Sequence, residues 1–342
     1  MFAELPLWSV FALFALAGVV ILICGLQMTD LADRIADRTG FGEAVVGGIL
    51  LGASTSLSGA IVSVTAALDD RASLAFSNGI GGIAAQTAFL ALADLIYRRA
   101  NLEHASAELA NLFQCSLLIL MLSVPLVAFT APEIAIWSVH PASIVLVGLY
   151  IVGVRATVQV RENPMWRPVR TRETREDAPE DEEDAAKSPT TLLVRFALLM
   201  VILSVAGWTI ARCAGVITDE IGISATTVGA LMTAVVTSMP ELVTTITAVR
   251  RGALQLAVGG IIGGNTFDSL FLTLSDIGYR DGSIYHAVGP QDFFWLAVGL
   301  SMTAVLLLGL ILRERRGPVG IGIESAGILT IYGGAILIQA AM

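Results

Sequence analysis

The sequence predicts an all-α polytopic membrane protein with ten transmembrane helices, arranged as two inverted five-helix repeats. Three observations predict this class: a mean hydropathy of +0.78 over 342 residues, ten apolar runs, and a second half that repeats the first. Hydrophobic residues make up 55% of the chain and charged residues 14%, whereas about 25% of residues are charged in a typical soluble domain. This composition excludes a soluble globular enzyme. The net charge of −9 excludes a nucleic-acid binder, which needs a basic surface.

Ten apolar runs are each predicted to cross the bilayer as a helix. A helical span needs about 20 apolar residues, and lipid admits only helices or closed barrels because every backbone polar group must be satisfied within the protein. No strand-like alternation of apolar and polar residues competes with a helix in these runs. The runs lie at 7–27, 42–68, 72–97, 109–130, 133–154, 191–212, 224–248, 254–277, 288–312 and 318–341. The first run has neither a basic segment before it nor a cleavage-like site, so we interpret it as a span rather than a signal peptide.

Basic residues predict the orientation of the spans. If the N-terminus is outside, sixteen lysines and arginines lie in inside loops, whereas Arg71, Arg212 and Arg280 lie in outside loops. This asymmetry follows the positive-inside rule. We therefore expect both termini outside and the long polar linker in the cytoplasm. The compact loops are typical of a protein of the prokaryotic plasma (inner) membrane.

The polar linker, residues 155–190, separates a first five-helix repeat at 1–154 from a second at 191–342. It contains the acidic run REDAPEDEEDAAKSP. Two interpretations remain open. One is a flexible cytoplasmic linker, and the other is a regulatory segment whose clustered acids attract divalent cations.

The two halves align without a gap from Gly25 to Asp94, with a constant difference of 182 between the matched residue numbers. The matched pairs are Gly25 and Gly207, Gly40 and Gly222, Thr55 and Thr237, Ser56 and Ser238, Gly81 and Gly263, Gly82 and Gly264, and Asp94 and Asp276. Because each half has an odd number of spans, the second half enters the membrane from the opposite side. Inverted repeats of this kind are typical of secondary transporters, whose sites lie near the midplane between the halves.

Two carboxylates are the first candidates for a site. Glu241 and Asp268 lie inside the seventh and eighth apolar runs. A carboxylate in that position costs at least a few kcal/mol unless it is paired or faces a cavity, so a functional role is the default interpretation. No lysine or arginine lies at a similar depth, which indicates that the missing positive charge is a mobile cation or a proton. A neutral buried acid pair is the alternative.

Oxygen atoms around these carboxylates predict a site for hard cations. Pro240 cannot donate a hydrogen bond to the preceding turn, so carbonyl oxygens from Ala234 to Thr237 are predicted to become available. The side chains of Thr237, Ser238 and Asn265 add further oxygens. Such oxygens suit Ca²⁺ and Na⁺. The alternative is that Pro240 only kinks the helix and that the hydroxyls serve helix packing.

Small residues and a second acidic pair add two further expectations. The glycines within 259–264 form overlapping G-x-x-x-G pairs, which predict a close approach of spans 7 and 8 that brings the two carboxylates together. Asp94 and Asp276 lie nearer the ends of their spans. For this pair, cation entry and interfacial anchoring are both open.

Two segments resemble the repeats of a known transporter family. TSMPELVTTITAVRRG…AVGGIIGGNTFDSL resembles the α-2 repeat of the cation/Ca²⁺ exchanger superfamily (the sodium/calcium exchanger membrane region), and GGILLGASTSLSGAIVSVTAALDD…SNGIGGIAAQT resembles its α-1 repeat. The resemblance implies that Glu241 and Asp268 are the main cation ligands and that nearby hydroxyls and the Ala234 carbonyl complete Na⁺ and Ca²⁺ sites. The full set of predicted ligands is Glu241, Asp268, Thr237, Ser238, Ala234, Asn265, Thr55, Ser56 and Gln86.

Both copies depart from the family pattern. Ser58 and Gly59 stand where the family usually has Pro-Glu, and Gly82 and Gly264 stand where sodium-coordinating serines are common. Two carboxylates supply a charge of −2 at most, which balances one Ca²⁺, two Na⁺ or two protons. We hypothesise that the protein exchanges fewer monovalent ions per divalent ion than a relative with three acids, and that such exchange can be electroneutral.

These observations predict a secondary active antiporter that exchanges Ca²⁺ for Na⁺ or H⁺ by alternating access, with spans 1 and 6 moving across a core of spans 2, 3, 7 and 8. A monovalent-cation/proton antiporter on the same fold and a non-transporting membrane sensor remain open. No nucleophile–base pair or phosphate-binding loop is present, so we expect neither an enzyme nor a cofactor. The expected partners are membrane lipid and small cations rather than nucleic acid.

Overall fold

The computed structural model describes residues 2–39, 43–97, 99–174, 189–317 and 321–342. Within these ranges the regular structure is helical, apart from one isolated bridge between Ile136 and Val139. The predicted all-α class is therefore confirmed. The acidic run of the linker lies outside the described residues, so neither interpretation of it is decided.

The described residues of the first half form a short 3₁₀ helix at Phe2–Glu4 and six α-helices. They are α1 (Leu7–Thr39), α2 (Glu43–Leu68), α3 (Ala72–Ile96), the short α4 (Leu102–Ala105), α5 (Leu109–Thr130) and α6 (Pro141–Glu162). The second half begins with α7 (Pro189–Ile221), followed by α8 (Ala225–Thr237), α9 (Met239–Arg251), α10 (Leu254–Asp268), α11 (Leu270–Gly278), the short α12 (Ile284–Ala287), α13 (Pro290–Leu312) and α14 (Ile323–Ala341).

Helix starts repeat at the offset found in the sequence. The helices α7, α8, α10, α12 and α14 begin at the positions that the offset of 182 assigns to the starts of α1, α2, α3, α4 and α6. Helix α13 begins a single position earlier than the start of α5 would place it. The two halves therefore share one helical plan over their described length, including the short helix after the third span.

Seven of the described helices are long and apolar enough to cross a membrane, and the bent pair α8–α9 can form an eighth span. The part of α2 whose side chains are described, Thr55–Leu68, is apolar but short. The pair α10–α11 is interrupted at Ser269. The number of ten spans therefore stays a prediction.

The predicted position of the fifth span is wrong. The sequence predicts 133–154, whereas α6 covers Pro141–Glu162. Trp137 and Ser138 adopt positive φ angles in a tight turn, and the His140 side chain accepts a hydrogen bond from the Ala142 N–H at 3.1 Å to cap the helix. The apolar residues before His140 are therefore a surface loop, and residues 155–162 belong to the helix rather than to the linker.

The third helix forms the centre of the molecule. It is buried along most of its length and packs against α2, α8, α10, α13 and α14. A Cβ atom at Gly81 would lie 2.4 Å from the Ala230 Cα, so glycine is required where α3 and α8 touch. Helices α1 and α7 pack along each other and against α2 at the flank of this core.

Asp94 and Asp276 hold equivalent joints in the two halves. The Asp94 carboxylate accepts backbone N–H groups from the first residue of α4 at 2.7 Å and from Gly322 at 3.0 Å. Asp276 accepts the first N–H of α12 at 3.1 Å and that of His140 at 2.7 Å. Because both oxygens of each carboxylate bind backbone donors, the contacts favour the anchoring interpretation over cation entry.

Candidate cation site

The helix that carries Glu241 is broken directly before that residue. Val228–Thr233 is π-helical, a form often found at functional sites. The axes of α8 and α9 differ by 46°, with Ser238 at the junction and Pro240 as the second residue of α9. Glu241 therefore lies in the first turn of α9, where the helix dipole favours a negative charge.

A second break positions Asp268. This residue ends α10, and Ser269 separates it from α11. The Ser269 hydroxyl donates to the Thr266 carbonyl at 2.7 Å and so satisfies one group that the break exposes. In the first half, α3 runs unbroken through the equivalent position, Gln86.

The two breaks face one small cavity of about 10 Å³. This volume is about the minimum that holds one water molecule, so the cavity has room for one water molecule or one dehydrated ion. Side chains from both halves line it: Ser56, Gly59, Asn78, Gly82 and Gln86 from the first, and Thr237, Ser238, Glu241, Asp268 and Phe271 from the second.

Both carboxylates are buried and only partly hydrogen-bonded. Glu241 is 6% exposed and Asp268 is 3% exposed. The Gln86 Nε2 donates to Asp268 Oδ2 at 2.6 Å, and the Thr55 hydroxyl is a hydrogen-bond partner of Glu241. Glu241 Oε2 and Asp268 Oδ1 have no hydrogen-bond partner among the described residues. One oxygen of each carboxylate is therefore available to a ligand.

No lysine, arginine or histidine is among the described residues that line the cavity. The described residues also contain no group of three or more histidine, cysteine, aspartate or glutamate side chains arranged to hold a metal ion. The cavity thus combines two acids with neutral oxygens from hydroxyl and amide groups. Such a donor set suits a hard cation that is bound and released rather than held permanently.

The structure brings most of the predicted ligands together. Six of them line the cavity: Ser56, Gln86, Thr237, Ser238, Glu241 and Asp268. Thr55 forms a hydrogen bond with Glu241. Asn265 does not line the cavity, and its amide donates to the Thr87 hydroxyl at 3.0 Å.

The Ala234 carbonyl is also outside the cavity lining. It accepts hydrogen bonds from the Ser238 N–H at 3.1 Å and from the Thr237 hydroxyl at 3.2 Å. The expectation that Pro240 frees this oxygen is therefore wrong. The Ser238 N–H is the ordinary helical donor to the Ala234 carbonyl, and the hydrogen bond that Pro240 cannot make is the one to the Val236 carbonyl.

Sequence reasoning did not identify Asn78 and Phe271 as part of the site. The Asn78 amide donates to the Gly59 carbonyl at 3.0 Å and accepts from the Thr233 hydroxyl at 2.6 Å, so it joins α2, α3 and α8 beside the cavity. A buried asparagine in an apolar run is a usable signal. At the repeat offset it matches a glycine, so the internal alignment did not single it out.

The glycines within 259–264 do not face α9 as predicted. A Cβ at Gly259 would contact Asn111 of α5, and one at Gly263 would contact Gln114 of the same helix. A Cβ at Gly264 would contact Gln86 of α3. The prediction that these glycines pack against α9 is therefore wrong. They allow α10 to approach α5 and α3, and the approach to α3 places Gln86 on Asp268.

Comparison with known proteins identifies relatives of the whole chain. The profile of the family described as "Sodium/calcium exchanger protein" matches residues 9–158 and 191–341. The Inner membrane protein YrbG of Escherichia coli (strain K12) is 30% identical over 165 residues, which are 46% of this chain and 47% of that protein. The alignment thus spans about half the length of this relative.

Solved structures share the fold at low sequence identity. The sodium-calcium exchanger NCX_Mj superposes with a TM-score of 0.63 at 18% identity, covering 97% of this chain and 99% of that one. The H⁺/Ca²⁺ exchanger CAX gives 0.64 at 12% identity, with 97% and 87% covered, and native YfkE gives 0.63 at 14%, with 96% and 92% covered. At these identities the likeness establishes the fold.

Proposed function

The chain belongs to the sodium/calcium exchanger protein family, and we propose that it is a secondary active antiporter that exchanges Ca²⁺ for Na⁺ or H⁺ in a prokaryotic inner membrane. The observation that carries the proposal is the pair Glu241 and Asp268. Each has one unpartnered oxygen, and both line one cavity that has room for one ion and no basic residue among its described lining residues. As an integral membrane protein of this family, the chain is a transporter rather than an enzyme.

Counter-transport follows from the cost of an empty site. Two ionised carboxylates buried in the protein interior are strongly unfavourable when no positive charge balances them. The site therefore crosses between its two orientations only when Ca²⁺ or a compensating set of monovalent ions or protons is bound. Because both ions use the same carboxylates, the arrival of one requires the departure of the other.

Alternating access is proposed to use the flank of the molecule. Helices α1 and α7 pack along each other and contact the elements that carry the site. Both helices contact α2 and α8, and α1 also contacts α9. Movement of this pair across the core would open the cavity to one side at a time.

A monovalent-cation/proton antiporter is the second candidate. Gly59 and Gly82 line the cavity without side-chain oxygens, whereas Ca²⁺ usually takes six to eight oxygen ligands. A site with fewer oxygens holds Na⁺ and a proton more readily than it replaces the full hydration shell of Ca²⁺.

Ion uptake into proteoliposomes tests both candidates. We expect ⁴⁵Ca²⁺ uptake driven by an outward Na⁺ or H⁺ gradient. Glu241→Gln and Asp268→Asn should each abolish it, because each removes one charge from the site. Glu108→Gln is the control, since this carboxylate is not part of the cavity lining. It forms an ion pair with Arg161, in which Nε and Oε1 are 2.8 Å apart.

Three results would contradict the proposal. Normal uptake by either site variant would remove the site. Na⁺/H⁺ exchange that is unaffected by Ca²⁺ would favour the second candidate. The absence of any cation flux would favour a non-transporting protein.

A further inference from the structure

The first half of the molecule has no carboxylate where the second half has Glu241. At the repeat offset of 182, Gly59 of α2 matches Glu241 and Ser58 matches Pro240. Gly59 nevertheless lines the same cavity as Glu241. Position 59 of the first half therefore contributes no side chain to the cavity, although a glutamate there would be next to a bound ion.

The aromatic ring of Phe271 fills the space beside Gly59. A Cβ atom on Gly59 would lie 2.9 Å from Cε2 and 3.4 Å from Cζ of that ring, whereas carbon atoms pack at about 3.5–4.0 Å. Phe271 is 3% exposed. A Cβ on Gly79 of α3 would lie 3.2 Å from the Phe271 Cβ. The residue is thus enclosed by glycines of two helices, and any side chain at position 59 must displace it.

We propose that Phe271 excludes a further carboxylate from the site and thereby fixes the charge exchanged per cycle at two, so that the exchange is electroneutral. The inference rests on the proposed function. Glu241 and Asp268 balance one Ca²⁺ in one half-cycle. In the other they balance two monovalent charges, as two protons on the carboxylates or as one proton and one Na⁺ in the cavity, and the loaded site is neutral in both. A third positive charge would lie against the apolar ring without a counter-charge, which is costly in this surrounding.

The charge per cycle is measured from the Ca²⁺ gradient at which net flux stops. One net charge moving across about 100 mV corresponds to about 2.3 kcal/mol, or about a 50-fold change in that gradient. For the unmodified protein in proteoliposomes, we expect the final ⁴⁵Ca²⁺ ratio to be the same at zero and at about −100 mV, set by a K⁺ gradient with valinomycin. A shift of about 50-fold would overturn the inference while leaving Ca²⁺ antiport intact.

Adding the missing carboxylate together with space for it gives the positive test. In the double variant G59E/F271A, we expect the final Ca²⁺ gradient to become potential-dependent, because three carboxylates can bind three monovalent charges against one Ca²⁺. The matched control is G59Q/F271A, which has the same volume without the charge and should remain potential-independent. Identical behaviour of the two double variants would count against the charge argument.

The packing argument has a test that does not depend on transport. We expect G59A alone to lower the midpoint of thermal unfolding in detergent, because its Cβ would overlap the ring of Phe271. F271L lacks the two ring atoms nearest Gly59, so G59A should cost much less in the F271L background. Equal losses in both backgrounds would show that the ring does not close this space. If G59A costs less stability in the F271L background but the protein transports no cation, the packing argument holds and the proposed function fails.

Discussion

Gln86 and Asp268 occupy equivalent positions in the two halves, and they meet inside the cavity. The Gln86 Nε2 donates to Asp268 Oδ2 at 2.6 Å and to the Ser238 hydroxyl at 3.3 Å, while its Oε1 has no hydrogen-bond partner among the described residues. One amide thus orients a carboxylate of the other half and offers its own oxygen to the cavity. An acid at this position would repel Asp268, whereas glutamine stabilises it without adding charge.

Replacing Gln86 by leucine should weaken Ca²⁺ binding rather than folding. The change removes a hydrogen bond to a charged group, worth about 1.5–3 kcal/mol, together with one candidate ligand oxygen. We expect KM for Ca²⁺ in the uptake assay to rise at least about tenfold. Gln114→Leu is the matched control, since Gln114 of α5 is outside the cavity lining. Equal effects of the two changes would argue against a role for Gln86 in the site.

A buried acid outside the site should make stability fall as the pH rises. Glu103 of α4 is fully buried, and its Oε1 accepts a hydrogen bond from the Ser325 hydroxyl of α14 at 3.2 Å. Burial, followed by the proximity of Asp94 and Glu324, raises the pKa of Glu103 well above its usual value of 4.5. At a pH between the usual pKa of the unfolded chain and the raised pKa of the folded protein, Glu103 keeps a proton in the folded protein and releases it in the unfolded chain. Stability is therefore lost as the pH rises from about 4.5.

Glu103→Gln should remove most of this pH dependence, because glutamine is neutral and can still accept the Ser325 hydroxyl. We expect the variant to gain stability over the unmodified protein at about pH 8 relative to about pH 5, by up to about 1.4 kcal/mol for each unit of pKa shift. Thermal unfolding in detergent across this range is the measurement. A difference that stays constant with pH would contradict the assignment.

The two carboxylates are recognisable in the sequence because a charge inside an apolar run needs an explanation. Phe271 cannot be recognised in the same way, since aromatic residues are common in the apolar runs of membrane helices. Its effect on the site depends on which helices meet beside it. The release of the Ala234 carbonyl was predicted from Pro240 alone, and the structure differs because this carbonyl keeps its ordinary helical donor, the Ser238 N–H.

At the scale of helices, two glycines mark where the flank crosses the site. A Cβ at Gly25 of α1 would lie 2.7 Å from Pro240 Cγ, and one at Gly207 of α7 would lie 2.7 Å from the Ser58 carbonyl oxygen. Both glycines and both of their contacts are related by the offset of 182. Each flanking helix therefore touches the other half of the site at the equivalent residue.

Alanine at either glycine should impair transport through overpacking, which costs about 1–3 kcal/mol. We expect G25A and G207A each to slow ⁴⁵Ca²⁺ uptake at least about tenfold or to lower the unfolding midpoint. Gly148 of α6 provides the control because a Cβ there would meet nothing within 4 Å. G148A should keep full uptake and gain up to about 1 kcal/mol of helix stability. Full activity and an unchanged unfolding midpoint in G25A and G207A would show that the contacts with Pro240 and Ser58 accommodate an added methyl group.

Helix positions were predictable to different degrees for a physical reason. The repeat offset transfers between halves because equivalent helices pack against equivalent neighbours, so most helix starts recur at the same offset. The fifth span was misplaced because hydropathy cannot distinguish an apolar loop from a span. The turn at Trp137 and Ser138 and the cap at His140 decide where α6 begins.

For the whole molecule, ionic contacts at the loops agree with the predicted sides. Arg71 pairs with Asp219 and Arg212 pairs with Asp69, which joins loops that are both predicted outside. Arg313 donates to the Val169 carbonyl at 2.7 Å and Arg315 pairs with Glu173, which joins a loop and the linker that are both predicted inside. These contacts group the segments into two sets, which agree with the two predicted sides of the membrane.

Reporter fusions decide the orientation of the two halves. An odd number of spans in each half inverts the second half, so the linker and the C-terminal end of α14 should face opposite sides. We expect alkaline phosphatase fused after Met342 to be active and a fluorescent protein there to be dark, with the reverse for fusions after Thr174. The excess of arginine in the linker region should hold that segment inside. The same reporter active at both positions would mean an even number of spans in the second half. That result would dismantle the inverted repeat on which the shared site of Glu241, Asp268 and Gln86 depends.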